Sequence, residues 1–176
     1  MPFILGLIAL VGAGYIWMLR ARNAAEVTRE LSGVASDVMA AARRFGFRRR
    51  FDTHPVDSLE DPDVAVASAA LAFLEMSGLP STEQQNALII SLQSTLTMSH
   101  EKAEEALILG RWLITESQGP VTGFTRLTKR LYKLKGAASF DPLMSVLNDV
   151  GKSARNGLSE KQKDALLELT RLYRIT

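Results

Sequence analysis

LAFLEMSGLPSTEQQNALIISLQSTLTMS, residues Leu71–Ser99, predicts a helical hairpin whose pattern recurs later in the chain. The second copy is LNDVGKSARNGLSEKQKDALLELTRLYRIT, residues Leu147–Thr176. In each copy an apolar helix ends at a glycine, a serine follows, and a glutamine stands three residues after the serine. Ser-x-x-Gln is typical of a capping box, in which each side chain bonds to the other residue's backbone amide. The two stretches predict a duplicated helical hairpin with turns and caps at Gly78, Ser81, Gln84, Gly157, Ser159 and Gln162.

The duplicated hairpin resembles the TerB-like (tellurite-resistance B) helical domain over roughly Asp61 to Thr176. In that family each hairpin turn typically carries Ala-Asp-Gly, a short spacer, a serine or similar cap, and a glutamate in the capping box. The paired acidic positions of the family are associated with binding a divalent metal. The resemblance implies an all-helical domain, and it raises the question of a metal site.

The acidic positions of the family are neutral in this chain. Ser77 and Asn156 stand where the aspartates would be, and Gln84 and Gln162 stand where the glutamates would be. Hard cations take carboxylate oxygens, and neutral amides supply no charge to offset the dehydration of the ion. We therefore expect the fold of the family without its metal site, and we predict no cofactor.

The rest of the chain also predicts helices, since no segment alternates apolar and polar residues as a strand does. Loops of two to seven residues indicate antiparallel neighbours. We predict an all-α protein in which about six to seven helices form a bundle. The predicted helices run from Asp61 to Met76, Ser81 to Leu96, Ser99 to Glu116, Thr122 to Leu134, Asp141–Pro142 to Ala154 and Ser159 to Tyr173.

The amino-terminal run Pro2–Leu19 has eighteen residues and no charge, and Arg20 and Arg22 follow it. As a helix it would rise about 27 Å, close to the roughly 30 Å hydrocarbon core of a bilayer. Tyr15 and Trp17 lie near its end, where amphipathic rings favour the headgroup level. We predict a transmembrane anchor over residues 1–20; a cleaved secretory signal and a buried core helix are the alternatives.

The arginines after the run determine the predicted orientation. The positive-inside bias places the amino terminus outside and the following domain in the cytoplasm, at a bacterial inner membrane. Gly6, Ala9 and Ala13 share one face of the predicted anchor, and small residues of this kind allow close contact with a partner helix. An ordinary lipid-facing helix is the alternative for that face.

A basic amphipathic segment, residues 21–50, follows the anchor and precedes a predicted linker over residues 51–62. Residues 1–50 contain eight Arg and three acids, whereas residues 51–176 contain thirteen Lys and Arg and sixteen acids. Phenylalanines are interleaved with the last arginines, so the segment is either a solvated membrane-facing elbow or a contact for anionic headgroups. Nucleic acid is not an expected partner, because the domain offers no basic excess. The arginines concerned are Arg43, Arg44, Arg48, Arg49 and Arg50.

The residue types needed for chemistry do not converge in the sequence. There is no cysteine, and His54 and His100 have no metal-ligand spacing. We predict that the chain is not an enzyme and takes no small-molecule substrate. An enzyme or metal-dependent protein would need carboxylates assembled across helices, for example Asp149 with Glu83 or Glu75.

Two functional hypotheses follow from the predicted anchor and domain. The first is a non-catalytic, single-pass inner-membrane protein whose cytoplasmic domain binds other proteins, as an accessory or assembly subunit of a larger membrane complex. The second is a free membrane-tethered adaptor or sensor in metal or tellurite stress response, which the family name alone suggests.

Overall fold

The computed structural model describes residues 36–48, 52–153 and 157–174. The chain divides into two units, Met1–Met39 and Ala40–Thr176. Of the first unit only the helical residues 36–39 are described, so the predicted anchor and its contact residues lie outside the described part. Within the described ranges, no helix has both the length and the hydropathy that crossing a bilayer requires.

The second unit is all-α in its described residues, as the sequence predicts. Its first helical segment, α1, covers residues 40–44, and a turn follows in which Gly46 has a φ of 63°. The remaining α-helices are α2 (Pro62–Glu75), α3 (Thr82–Leu96), α4 (His100–Glu116), α5 (Pro120–Lys135), α6 (Phe140–Lys152) and α7 (Glu160–Arg174). Short 3-10 helices at Pro55–Ser58 and Gly136–Ser139 precede α2 and α6.

The α2 helix lies at the centre of the unit. Every residue from Val64 to Leu74 is buried, and the helix contacts α4 and α5 most extensively and α6 and α3 to a lesser degree. The Asp61 side chain caps the helix by accepting from the Asp63 amide at 2.8 Å, and Pro62 occupies the first helical position. A helix without a polar face is stable only when it is covered on all sides, so the other helices are arranged around this one.

α2 and α4 lie close together at Gly110. A Cβ atom at this position would lie 2.8 Å from Ser68 Oγ and 3.0 Å from Ser68 Cα. Real Cβ atoms essentially never come as close as 2.8 Å to another heavy atom, so the absence of a side chain at Gly110 allows the two helices to approach this closely.

The structure corrects two predicted helix starts. α5 begins at Pro120 rather than Thr122, because Gly119 takes a φ of 118° and proline suits the first helical position. α6 begins at Phe140, directly after a 3-10 turn, so Asp141 lies inside the helix and does not cap it.

The predicted linker is part of the folded unit in its described residues. Pro55–Ser58 forms a 3-10 helix, and Val56 and Leu59 are almost completely buried. Arg130 of α5 donates to the Leu59 carbonyl at 2.7 Å, so the segment is fastened to the helical core. Pro55 and Pro62 therefore lie in a packed turn and at the start of α2, and the segment is not an extended linker.

Candidate interaction surfaces

The first hairpin turn lies at the surface and contains the predicted capping box. The Ser81 amide donates to Gln84 Oε1 at 3.0 Å, and the Gln84 amide donates to Ser81 Oγ at 3.2 Å. Gly78 has a φ of 121°, a conformation that side-chain-bearing residues rarely adopt. Leu79 in the same turn is almost fully exposed.

The second hairpin turn has the same capping box in a buried setting. The Ser159 amide donates to Gln162 Oε1 at 2.9 Å, and the Gln162 amide donates to Ser159 Oγ at 3.3 Å. In addition, Gln162 Nε2 donates to the Phe73 carbonyl of α2 at 2.9 Å, and the residue is only 2% exposed. The neutral amide at this position therefore connects α7 to the central helix, which a carboxylate, having no donor, could not do.

The described part of the basic segment is docked on α4. Arg44 Nη1 lies 2.6 Å from Glu101 Oε1 and 3.0 Å from Glu105 Oε1. Phe47 contacts Trp112 edge to face with a centroid distance of 5.8 Å. Arg43 and Arg48 are exposed, whereas Arg49, Arg50 and the contact residues Gly6, Ala9, Ala13, Tyr15, Trp17, Arg20 and Arg22 lie outside the described ranges.

The ion pair between Arg44 and Glu101 predicts a pH dependence of stability. The guanidinium donates a hydrogen bond to Glu101 and lowers the pKa of that carboxyl below its ordinary value. A carboxyl whose pKa falls on folding stabilises the folded chain above its unfolded-state pKa, and this contribution is lost as the pH falls through the folded-state pKa. Both side chains are well exposed, so the effect is small.

We expect Glu101→Gln to lower the urea midpoint slightly at pH 7 and by a smaller amount at pH 3. The matched control is Glu104→Gln. It removes a carboxylate from the same part of α4, but that carboxylate lies 3.4 Å from His100 Nε2 and is not the partner of Arg44. A midpoint difference of equal size at both pH values would contradict the assignment.

Two of the carboxylates that an enzyme or metal-dependent protein would need, Glu75 and Asp149, contact side chains of neighbouring residues. Glu75 lies 3.1 Å from Arg111, and Asp149 accepts from Ser91 Oγ at 2.9 Å and lies 3.4 Å from Lys152. The described residues contain no group of three or more His, Asp or Glu side chains that could hold a metal ion.

His54 has a structural role that the sequence does not indicate. Its Nδ1 accepts from the Val56 amide at 3.3 Å, and its Nε2 lies 3.2 Å from the Glu116 carbonyl oxygen. An imidazole that is protonated on Nε2 satisfies both contacts, so His54 ties the turn before α2 to the end of α4.

An open groove of about 330 Å³ lies between α3 and α4. Its floor is apolar, and Ile108 is 38% exposed. Charged and amide side chains form its rim, an arrangement that is common where one protein receives another. The lining residues are Leu71, Gln85, Ile89, Glu104, Leu107, Ile108 and Arg111.

Charge is strongly segregated along the folded unit. Residues 52–116 contain eleven acids and two Lys or Arg, whereas residues 117–174 contain five acids and eleven Lys or Arg. The acidic part comprises α2, α3 and α4, and the basic part comprises α5, α6 and α7. The small net negative charge of the domain is thus the sum of a strongly acidic segment and a basic one.

Comparison of the chain with protein-family models, with curated proteins and with solved structures gave no match. The TerB-like resemblance therefore stays a prediction that rests on the two hairpin stretches of the sequence.

Sequence reasoning missed three features of these surfaces. The hydrogen bond from Gln162 to Phe73 and the one from Ser91 to Asp149 join residues far apart in sequence, and no local pattern marks them. The third feature is the charge segregation. Unlike the other two, it could have been found in the sequence, because the α5 sequence PVTGFTRLTKRLYKLK contains no acid.

Proposed function

We propose that the chain is a non-catalytic, membrane-tethered protein whose TerB-like domain binds other proteins, as an accessory or assembly subunit of a membrane complex at a bacterial inner membrane. The observation that carries the tether is the uncharged run Pro2–Leu19 followed at once by Arg20 and Arg22. The domain follows it on the cytoplasmic side in this proposal.

A binding role accounts for the domain better than a chemical one. Glu75 and Asp149 are two of the carboxylates that an active site would need. Glu75 accepts a hydrogen bond from Arg111, and Asp149 accepts one from Ser91. The groove between α3 and α4 instead offers apolar side chains to a partner. Ile108 at its edge is exposed enough to enter a partner's surface, and Arg111 and Glu104 on its rim supply polar contacts.

Purification from membranes in mild detergent with a carboxy-terminal tag tests the proposal. We expect integral-membrane proteins in stoichiometric amounts by mass spectrometry. Recovery of the chain alone would contradict a permanent subunit. Recovery with substoichiometric soluble proteins would instead favour a tethered adaptor.

We expect Ile108→Arg to reduce recovery of the partner at least about tenfold, because a charge would have to be buried in an apolar contact. The matched control is Leu167→Arg, the same kind of change at a 59% exposed leucine on α7. Quantitative mass spectrometry of the two purifications provides the readout. Equal recovery from both variants would place the partner elsewhere on the domain.

A further inference from the structure

The exposed side of α5 carries a row of basic residues after Val121 and Thr122, which are also exposed. Arg126, Lys129 and Lys133 are spaced by three and four residues, so they share one face of the helix, and all three are exposed. The opposite face carries the buried side chains of Phe124 and Leu127. From Arg126 to Lys133 the row extends about 10 Å along the helix axis.

α7 runs parallel to α5 and extends this row. Thr125 Oγ1 donates to Glu168 Oε2 at 3.2 Å, and further along both helices Tyr132 contacts Tyr173 with a centroid distance of 5.1 Å. The contacts advance in the same direction on both helices, so their carboxyl ends lie side by side. The exposed Arg171 of α7 therefore lies at the same end as Lys133.

These cations form one surface, which we call the basic face: Arg126, Lys129, Lys133, Arg171 and Arg174. Among the described residues, none of the five makes a hydrogen bond or an ion pair. Two acids lie beside these cations: Glu168, which accepts from Thr125, lines the same crevice as Lys129, and Asp141 lines a cavity together with Arg174. The charges of the basic face are consequently available to a partner.

The surface of the basic face is closed beside Lys129, where the crevice between α5 and α7 has a volume of only about 20 Å³. Cavities of about 140 and 300 Å³ adjoin Glu168 and Arg174. The partner is therefore inferred from charge: a membrane leaflet rich in anionic lipid carries the opposite charge and attracts lysine and arginine within a Debye length of its surface.

We propose that the basic face lies against an anionic membrane surface. This inference rests on the proposed tether, which would keep the domain near the bilayer. The exposed arginines Arg43 and Arg48 belong to a different surface, which is docked on α4 through Arg44 and Phe47.

Amine labelling of the full-length chain in vesicles tests the inference. The chain is reconstituted into pure phosphatidylcholine or into vesicles with about one third phosphatidylglycerol, and the labelling rate of each lysine is followed by mass spectrometry. We expect Lys129 and Lys133 to be labelled at least about threefold more slowly in the anionic vesicles, with recovery at high salt. Lys102 on α4 is the internal control and should not change.

Paired charge reversals show which cations matter. Arg171→Glu with Arg174→Glu should abolish the protection of Lys129 and Lys133. Arg43→Glu with Arg48→Glu makes the same change in net charge on the different surface and should preserve it. Equal protection in both double variants would overturn the inference.

The remaining outcomes are also decisive. Labelling rates that are equal in the two lipid compositions would overturn the inference, and so would protection that appears only with a copurified protein, which would assign the face to an acidic protein partner. Failure of the tether gives a separate signal, since the chain would then not stay with phosphatidylcholine vesicles, while salt-sensitive protection by anionic vesicles would persist.

Discussion

Gln162→Glu is expected to destabilise the folded chain by about 3 kcal/mol at pH 7, because it places a carboxylate where a buried amide donates to the Phe73 carbonyl. For a chain of this size the loss corresponds to a fall in melting temperature of roughly 10 °C, measured by the helical circular dichroism signal in mild detergent. The change keeps the acceptor oxygen of the capping box, yet here it should be harmful.

The loss should be smaller in acid. Burial beside a carbonyl oxygen would raise the pKa of the introduced carboxyl, so the destabilisation is complete above the folded-state pKa and disappears below the unfolded-state pKa of about 4.3. The protonated acid could also donate to the Phe73 carbonyl. Equal losses at pH 4 and pH 7 would show that charge is not the cause.

Gln84→Glu is the matched control for this change. Gln84 holds the same place in the first capping box, but it is partly exposed and uses only its acceptor oxygen toward the Ser81 amide. A glutamate can accept that bond equally well, so the free energy of unfolding should change by less than about 0.5 kcal/mol.

Gly110→Val is expected to be the most harmful single change at a helix contact. Its Cβ would meet Ser68 Oγ at 2.8 Å and Ser68 Cα at 3.0 Å, and its two methyl groups would add to the clash. Overfilling a closed contact of this kind typically costs 1–3 kcal/mol, and we expect about 3 kcal/mol because the nearest atoms include backbone. The urea midpoint of the full-length chain measures the loss.

Gly151→Ala is expected to raise the urea midpoint in the same assay, whereas Gly110→Val should lower it. A Cβ on Gly151 of α6 would meet only Leu158 Cδ2 at 3.3 Å, the end of a side chain that can move. Alanine is favoured over glycine in a helix by up to about 1 kcal/mol, so this variant should be slightly more stable. A stabilised Gly110→Val chain would mean that α2 and α4 are not in close contact there.

The helices and their caps were predictable because their signals are local. Ser81, Ser99 and Asp61 each precede a helix, and their side chains accept from amides in its first turn. The two capping boxes follow from the same spacing in both hairpins. The start of α6 was not predictable in this way, because the 3-10 turn before it brings Phe140 into the helix ahead of Pro142.

The long-range features were not predictable from one sequence. Gln84 and Gln162 have the same local pattern, but only Gln162 is buried, since burial depends on which helix lies across the turn. The central position of α2 could not be predicted from the sequence either. Its apolar residues show that it is covered, but they do not show which helices cover it.

The buried α2 helix also has a consequence for the synthesis of this chain. A ribosome releases the chain from its amino terminus, so α2 emerges before α4 and α5, the helices that it contacts most. Until about Lys135 has left the ribosome, eleven consecutive core residues have no native cover. The nascent chain therefore passes through an interval of exposed apolar surface, during which a chaperone that binds such segments would compete with aggregation.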